Sequence, residues 1–219
     1  MFFCLAPMVL LLNFAVLLAG YLLGSLPSGY LAGRWLAGID IRQQGSGSTG
    51  ATNVLRVLGK GPALAVFAVD VGKGAVAVLL ARWLLQPLGF DAVSDWWVVA
   101  TGLAALAGHI WPVWLGWKGG KAVATGLGML LGLTWPVGLA CFGIFLTVLS
   151  FSRIVSLSSV VAALSLPLLM LGWFGSGGLR PAYLALAVLT TVVVVWRHRS
   201  NIQRLLAGTE PRIGQKQKA

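Results

Sequence analysis

PALAVFAVDVGKGAVAVLLARWLL, residues 62–85, is an almost continuous apolar run of the length that a helix needs to cross a bilayer, about 20 residues. Similar runs lie on both sides of it. Together they fall near 8–33, 62–85, 96–115, 123–135, 136–151, 157–174 and 181–196. Two of these runs are short and adjoin at Trp135-Pro136, where the proline predicts a break between helices. We therefore predict an all-α polytopic integral membrane protein with about seven transmembrane helices.

The composition is that of a membrane protein. The 219 residues are 58% hydrophobic and 10% charged, whereas a soluble domain is roughly 25% charged; the mean hydropathy is +0.89. The excess of 16 Lys and Arg over 5 acidic residues would indicate nucleic-acid binding in a soluble chain. Because these basic residues lie between apolar runs, we interpret them as topology signals, lipid-headgroup contacts and site residues, and expect no nucleic-acid partner. Cys4 and Cys141 fit neither a disulfide framework nor a metal site.

The basic residues also predict an orientation. If seven spans alternate, one side of the membrane receives Arg34, Arg42, Arg56, Lys60, Lys118, Lys121, Arg153, Arg197, Arg199, Arg204, Arg212, Lys216 and Lys218. The other side receives only Arg82 and Arg180. The positive-inside rule then places the N-terminus outside and the C-terminus in the cytoplasm. We expect residues 1–219 to form a single membrane-embedded domain with a short basic cytoplasmic tail at about 197–219.

Two smaller features concern the helices themselves. Residues 1–8 contain no Lys or Arg, so the first run lacks the basic start of a cleaved signal peptide and is expected to be a retained helix. The pairs Gly20/Gly24 and Gly128/Gly132 have the spacing that permits close contact between helices.

Two polar stretches interrupt the apolar runs. GSGSTGATNVLR, residues 45–56, is rich in glycine and small hydroxyl residues, and its backbone N–H groups can turn inward to form an anion-binding nest. KGGKAVATG, residues 118–126, repeats this pattern with two lysines. These stretches predict phosphate chemistry at a membrane surface.

Charged residues also occur inside the predicted spans. Asp70 and Lys73 lie three residues apart and therefore on one helix face. A lone charge inside the bilayer costs at least about 2.5 kcal/mol, so we expect both to face the protein interior or a wet cavity. A structural ion pair and a direct substrate role for Lys73 are both open. His109 begins GHIWPVW at the end of a span, and we favour a structural role in which its ring holds the following loop.

The C-terminal half carries two more polar stretches. His198 and Asn201, in RHRSNIQR, share a face if the last helix continues into the cytoplasm. SRIVSLSS, residues 152–159, lies at a helix entrance, where N-capping explains its serines by default. We expect all four polar stretches to meet on one face of the membrane.

Several kinds of catalytic site are disfavoured. Position 114, five after His109, is Trp, and position 203, five after His198, is Gln, so neither histidine has the carboxylate of the H-x-x-x-x-D acyltransferases. No GxxxxGK[ST] pattern occurs, because Gly120-Lys121 is followed by Ala122, and no paired acids form a metal site. We expect neither a metal nor another cofactor.

Taken together, these motifs resemble the bacterial acyl-phosphate-dependent glycerol-3-phosphate acyltransferase family, PlsY. The similarity runs from about Tyr21 to Glu210. It rests on Gly45-Ser46-Gly47 with residues 50–56, Gly108-His109 with Pro112, residues 118–121 and residues 156–159. Ser48 stands where the family usually has Asn, and Ala122 where it has Gly.

The resemblance implies transfer of a fatty acyl group from acyl phosphate to glycerol 3-phosphate, which yields lysophosphatidic acid and phosphate. Its implied catalytic residues are Ser46 and Lys121. Its implied substrate-binding residues are Gly47, Ser48, Gly50, Thr52, Asn53, Arg56, Lys118, Gly119, Gly120, Ser156, Ser158, Ser159, His198 and Asn201. Which cation binds which phosphate stays open.

The resemblance also implies a location and partners. We expect a multi-pass protein of the bacterial cytoplasmic (inner) membrane, with its active site on the cytoplasmic face, in contact with membrane lipid and other phospholipid-synthesis enzymes. The alternative is a membrane transporter or channel for a phosphorylated metabolite. A transporter places binding elements near the bilayer midplane, whereas the polar residues here concentrate on one predicted face.

Overall fold

The computed structural model describes residues 2–85, 91–175, 178 and 180–215. Over these residues it contains ten α-helices and no strand, which confirms the all-α prediction. The helices are α1 (Phe2–Gly24), α2 (Ser28–Ala37), α3 (Ala51–Leu58), α4 (Lys60–Leu85), α5 (Asp91–Ile110), α6 (Val123–Leu133), α7 (Trp135–Ser152), α8 (Val155–Phe174), α9 (Pro181–Arg197) and α10 (Arg199–Leu206). Two short 3-10 turns, Ile41–Gln43 and Val113–Leu115, precede α3 and α6.

Most of the helices are membrane-spanning in length and composition. Five segments of the described chain are long and apolar enough to cross a bilayer: Pro7–Ala37, Lys60–Leu85, Ser94–Leu115, Trp135–Ser152 and Val155–Phe174. The pair α9 and α10, bent by 61°, adds a sixth if it is one span, and α6 is a shorter apolar helix. Many large apolar side chains are exposed, as expected for a lipid-facing surface; Phe151 and Leu168 are 86% and 72% exposed.

The helix boundaries refine the sequence predictions. As predicted at Trp135-Pro136, α6 ends at Leu133 and α7 begins at Trp135, with the proline in its first turn. The apolar run at 8–33, by contrast, is divided by a turn at residues 25–27, because Pro27 disfavours helical geometry in the residue before it. The stretch 45–56 is a loop only as far as Gly50. It then becomes α3, because Val54 packs into a buried cluster with Ile41 and Val66.

The chain divides into two compact units, Met1–Leu133 and Thr134–Ala219. In the N-terminal unit, α1 packs on α5 and α4 on α6. A Cβ atom at Gly24 would overlap the backbone of Ala105, and one at Gly128 would overlap that of Val71. These contacts confirm the close helix approach predicted for the glycine pairs.

In the C-terminal unit, α8 packs against α7 and α9. The Thr191 hydroxyl of α9 donates to the Ala163 carbonyl of α8 at 2.6 Å, and so joins the two helices through a polar contact.

Candidate active site

The loop between α2 and α3, residues 38–50, is the glycine-serine loop, and the buried side chain of Asn53 holds it in place. The Asn53 Oδ1 atom accepts the backbone N–H of Ser46 at 2.8 Å. Its Nδ2 atom donates to the carbonyls of Ile41, Gln44 and Ser48 at 3.1, 3.0 and 2.9 Å. Asn53 is 1% exposed, so its amide organises the loop from inside; its predicted contact with substrate stays a prediction.

Two glycines let the loop pass over this amide. Gly45 and Gly47 have φ of +57° and +70°, in the left-handed region that favours glycine. A Cβ atom at Gly45 would also overlap Asn53 Oδ1. Ser46 lies between the two glycines and is exposed, so the loop presents this serine at its surface.

Some of the backbone N–H groups that the sequence predicted for an anion-binding nest are already hydrogen-bonded within the protein. The N–H groups of Ser46 and Gly47 bond to Asn53 Oδ1 and the Gln44 carbonyl, and that of Gly50 lies 3.3 Å from Ser48 Oγ. Within the described residues, the N–H groups of Ser48 and Thr49 have no such bond. These two groups, and those of Ala51 and Thr52 at the start of α3, are the donors that the geometry offers to an anion.

Arg42 joins the glycine-serine loop to the next connection. Its guanidinium forms an ion pair with Asp40 at 2.7 Å and donates to the Leu115 carbonyl at 3.0 Å. The hydrogen bonds from Arg42 lower the pKa of Asp40 to about 2. The same guanidinium lies 5.1 Å from the centre of the Tyr30 ring. The sequence marks Arg42 only as one of the basic residues that predict topology, whereas in the structure Arg42 links two loops.

The segment of residues 116–122 is the lysine loop, and the end of α5 holds its backbone. The N–H of Gly119 donates to the Ile110 carbonyl and that of Gly120 to the His109 carbonyl, both at 3.1 Å. Lys118 is exposed, and Lys121 is partly buried. The backbone carbonyls of His109 and Ile110 therefore hold the loop; the role expected for the His109 ring stays a prediction.

Ala122 stands where the family usually has Gly, and this alanine has a strained backbone conformation. Ala122 has φ of +59° and is 2% exposed. A non-glycine residue in the left-handed region costs about 1–2 kcal/mol. A glycine would adopt this backbone freely, which gives a physical reason for the glycine that the family has here.

A buried charged cluster lies within the same unit. Lys73 and Asp70 form an ion pair at 2.8 Å, and their side chains are 4% and 1% exposed, which confirms that both face the interior. Ser28 donates its hydroxyl to Asp70 at 2.6 Å, and Lys73 donates to the Leu26 carbonyl at 3.0 Å. A small pocket beside the cluster is lined by residues that include Lys73, His109 and Thr49. The substrate role of Lys73 stays open.

In the C-terminal unit, Glu210 gathers two of the predicted substrate-binding residues. Its Oε1 atom accepts the Ser156 hydroxyl at 2.7 Å and the Asn201 amide at 2.6 Å, while Oε2 accepts Arg204 Nε at 2.7 Å. Burial opposes ionisation of this carboxyl, but the three hydrogen bonds outweigh it and lower its pKa. No sequence motif assigns Glu210 a role; its position as an acidic residue in a strongly basic tail is the signal that points to it.

The other predicted residues of this unit need two corrections. The serines do not cap α8: Ile154 is the N-cap residue, and Ser158 and Ser159 lie inside the helix and donate to carbonyls four residues earlier. The last helix does not continue straight, since α9 and α10 meet at His198 with a 61° bend. His198 and Asn201 are both buried, 3% and 6% exposed.

Among the described residues, no group of three or more His, Cys, Asp or Glu is placed to hold a metal ion.

Comparison with known proteins identifies the family. The glycerol-3-phosphate acyltransferase family profile matches residues 14–208. The chain belongs to this family. Glycerol-3-phosphate acyltransferases of Prochlorococcus marinus strain MIT 9313 and Synechococcus sp. strain CC9902 are 75% and 68% identical to it, over 93% and 96% of this chain and 96% and 100% of theirs.

Solved structures agree with this assignment. Crystal structures of PlsY, an integral membrane glycerol 3-phosphate acyltransferase, match the acyltransferase described here at 38% identity over 92% of its chain. The glycerol 3-phosphate form has a TM-score of 0.82 over 96% of that chain, and the lysophosphatidic acid form has 0.80 over 95%. The recognition from motifs is confirmed, and the protein is a multi-pass membrane acyltransferase. These findings support the enzyme and not the transporter.

Proposed function

We propose that this acyltransferase takes its acyl group from acyl phosphate and transfers it to a hydroxyl of glycerol 3-phosphate, releasing lysophosphatidic acid and inorganic phosphate. Both substrates carry a phosphate, so the reaction needs two anion-binding surfaces. The observation that carries the proposal is the bond from Arg42 to the Leu115 carbonyl, which links the glycine-serine loop to the turn before the lysine loop. The glycerol 3-phosphate and lysophosphatidic acid forms of PlsY support the acceptor and the product.

The transfer needs the two substrates to be positioned for direct attack and does not need a covalent acyl-enzyme intermediate. The acceptor oxygen attacks the acyl carbon and forms the ester bond. The bond between the acyl carbon and the phosphate oxygen breaks, and phosphate leaves with the electron pair. Because acyl phosphate is a mixed anhydride with a good leaving group, orientation and charge stabilisation supply most of the catalysis. The proton of the attacking hydroxyl passes to a phosphate oxygen of the substrate.

In this scheme Lys121 stabilises the negative charge that develops on the acyl oxygen and on the leaving phosphate. The N–H groups of Ser48 and Thr49 contribute further donors, while Gly47 and Gly50 allow the substrate to approach the backbone. Gly119 and Gly120 support the site by letting the lysine loop pack against the end of α5. Ser46 orients the substrate with its exposed hydroxyl. A covalent mechanism with Ser46 as nucleophile needs an adjacent base, and no side chain of the described residues hydrogen-bonds to its hydroxyl.

Glycerol 3-phosphate is proposed to contact the exposed face of α3 and the lysine loop. Thr52 and Arg56 are four residues apart on α3 and share one face, and Arg56 is exposed. A guanidinium suits bidentate contact with a phosphate group. Lys118, also exposed, supplies a second cation. Asn53 acts through the glycine-serine loop that it holds.

The C-terminal unit is proposed to contribute further contacts with glycerol 3-phosphate, as the resemblance implies. The residues concerned are Ser156, Ser158, Ser159, His198 and Asn201. The Glu210 carboxylate fixes the Ser156 hydroxyl and the Asn201 amide, and so limits the rotamers from which either reaches a ligand.

We further propose seven spans, with an external N-terminus, a cytoplasmic C-terminus and an active site on the cytoplasmic face of the bacterial inner membrane. Five long apolar segments, the short α6 and the bent pair of α9 and α10 supply seven apolar segments in chain order. The basic residues supply the orientation. We propose that residues 1–219 act as one acyltransferase domain whose partners are membrane lipid and other enzymes of phospholipid synthesis.

The experiment is a transfer assay with the purified protein in detergent. Acyl phosphate and glycerol 3-phosphate are supplied together, and both phosphate release and lysophosphatidic acid are measured. We expect the two products in equal amounts. A reaction without glycerol 3-phosphate controls for simple hydrolysis. Phosphate release that does not depend on glycerol 3-phosphate, or the absence of lysophosphatidic acid, would contradict the proposal.

A further inference from the structure

The buried carboxylate of Asp70 connects three helices of the N-terminal unit. It accepts the Ser28 hydroxyl at the start of α2 and forms the ion pair with Lys73 on its own helix, α4. Its Oδ1 atom also lies 3.6 Å from the Nδ1 atom of His109, near the end of α5. That separation is longer than a hydrogen bond but within ion-pair range, so the carboxylate favours a ring orientation in which Nδ1–H points toward Asp70.

The opposite edge of the His109 ring faces the lysine loop. A Cβ atom built on Gly120 would overlap the ring at Nε2, and Cδ2 and Cε1 would lie 3.0 and 3.1 Å from it. The Gly120 N–H also donates to the His109 carbonyl at 3.1 Å. The backbone at Gly120 therefore rests directly against the imidazole. Lys121 is the next residue, so the ring determines the backbone position from which the Lys121 side chain extends.

We propose that His109, oriented by Asp70, is a positioning residue for Lys121. The imidazole fills the space between the Asp70 carboxylate and the lysine loop. It thereby fixes the position of the loop backbone from which the Lys121 side chain reaches a substrate phosphate. The inference rests on the proposed function, since it assigns Lys121 to phosphate binding. A misplacement of about 1 Å in such a group costs roughly a hundredfold in rate.

The contact with the loop is tested by steric rescue. Gly120→Ala places a methyl group against the imidazole, so we expect it to lower the unfolding temperature. His109→Asn keeps an amide donor toward Asp70 but removes the Nε2 edge, so His109→Asn/Gly120→Ala should regain most of that loss. Gly119→Ala is the matched control, because its methyl group would overlap the His109 carbonyl and Pro112. The His109 substitution removes neither, and rescue of Gly119→Ala to the same degree would overturn the contact.

The positioning role is tested by kinetics. A loss of folded enzyme lowers the maximal rate but leaves KM unchanged. A displaced Lys121 loses its contact with the phosphate of bound acyl phosphate as well as its stabilisation of the developing charge, so it lowers the turnover of the folded enzyme and also raises KM. We expect His109→Asn to raise KM at least fivefold for acyl phosphate or glycerol 3-phosphate, and Gly120→Ala to raise it further. The double variant should return to the value of His109→Asn. Unchanged KM for both substrates in His109→Asn would overturn the inference.

The wild-type protein separates the two proposals. If it forms no lysophosphatidic acid, the proposed function fails, whatever the variants do. If it is active and either the KM change or the rescue is absent, the proposed function stands and the role of His109 fails. The unfolding temperatures report the contact between His109 and Gly120 without reference to activity.

Discussion

The Asn53 carboxamide oxygen accepts the backbone N–H of Ser46 at 2.8 Å, so a buried side chain of α3 determines where the exposed serine stands. The same amide donates to three carbonyls of the glycine-serine loop. Arg42 links the start of this loop to the Leu115 carbonyl. The conformation around Ser46 depends on Asn53, whose side chain makes four hydrogen bonds.

Asn53→Asp tests this dependence with almost no change in shape. A carboxylate still accepts the Ser46 N–H, but its second oxygen faces the three carbonyls without a proton to donate. We expect activity to fall by roughly a hundredfold, since small displacements of a site group have effects of that size. Asn53→Ala should also reduce activity, while Gln43→Ala, an exposed position of the same loop, should not. Wild-type turnover in purified Asn53→Asp would contradict the role.

Lys121→Ala should reduce turnover at least a hundredfold while the protein stays folded. The estimate comes from the loss of one donor that stabilises an oxyanion, which costs about 10²–10³ in rate. Turnover is measured on purified protein, and the unfolding temperature is measured beside it to show that the fold is intact. A variant that keeps near-normal turnover would remove Lys121 from the catalytic residues.

Glu210 gives the C-terminal unit a dependence on pH. Its folded-state pKa is lowered from the ordinary value near 4.5 by hydrogen bonds that outweigh its burial. A lowered pKa contributes stability that is present above the ordinary value and is lost as the pH falls through the lowered one. We therefore expect the unfolding temperature to fall as the pH decreases below about 4.5.

Glu210→Gln is the matched variant, because it keeps the size of the side chain and removes the titration. It should be less stable than the wild-type protein at pH 7, since it loses the charged partner of Arg204. The difference between the two proteins should shrink as the pH falls below about 4.5. A constant difference over that range would show that Glu210 is not ionised in the folded protein.

Much of the fold is predictable from the sequence, because a helix that spans a bilayer must be long and apolar and an unpaired charge there is costly. Apolar length and basic loops predicted the helical segments. The cost of a lone charge in the bilayer predicted that Asp70 and Lys73 face the interior or a wet cavity, with an ion pair as one of two open roles. The anchors of the site were not predictable in the same way. Arg42 reaches Leu115, and Glu210 reaches Ser156. Partners so distant in sequence are brought together only by packing, and no local pattern records them.

The boundaries of the polar stretches were missed for a related reason. Glycine and hydroxyl residues dominate the start of residues 45–56, so their composition predicts a single polar stretch without a helix. Val54, buried in the apolar cluster, instead draws the second half into a helix. Tertiary packing overrode the local composition there.

Topology can be measured with single cysteines and an impermeant thiol reagent, in a background in which Cys4 and Cys141 are replaced. A cysteine at Ser48 or Gln215 should react only from the cytoplasmic side, because the basic residues predict that side for both. The outer side is also predicted for Ser94, but that residue is only 5% exposed. A cysteine at the exposed Arg180, on the same predicted side, should therefore react from outside. Labelling of the Ser48 variant from outside intact cells would reverse the orientation.

The choice of donor gives the sharpest test of the chemistry. The enzyme should use acyl phosphate and show little or no activity with acyl-CoA or acyl carrier protein. Neither His109 nor His198 has the H-x-x-x-x-D carboxylate that activates a hydroxyl against a less reactive thioester, and the two loops suit a leaving phosphate. Activity should also survive a chelator, since no carboxylate cluster in the described residues is placed to hold a divalent ion. Each donor is supplied in turn to purified protein, with and without chelator, and lysophosphatidic acid is measured. Robust transfer from acyl-CoA would show that the loops serve another purpose, and complete loss of acyl-phosphate activity on chelation would require a metal in the mechanism.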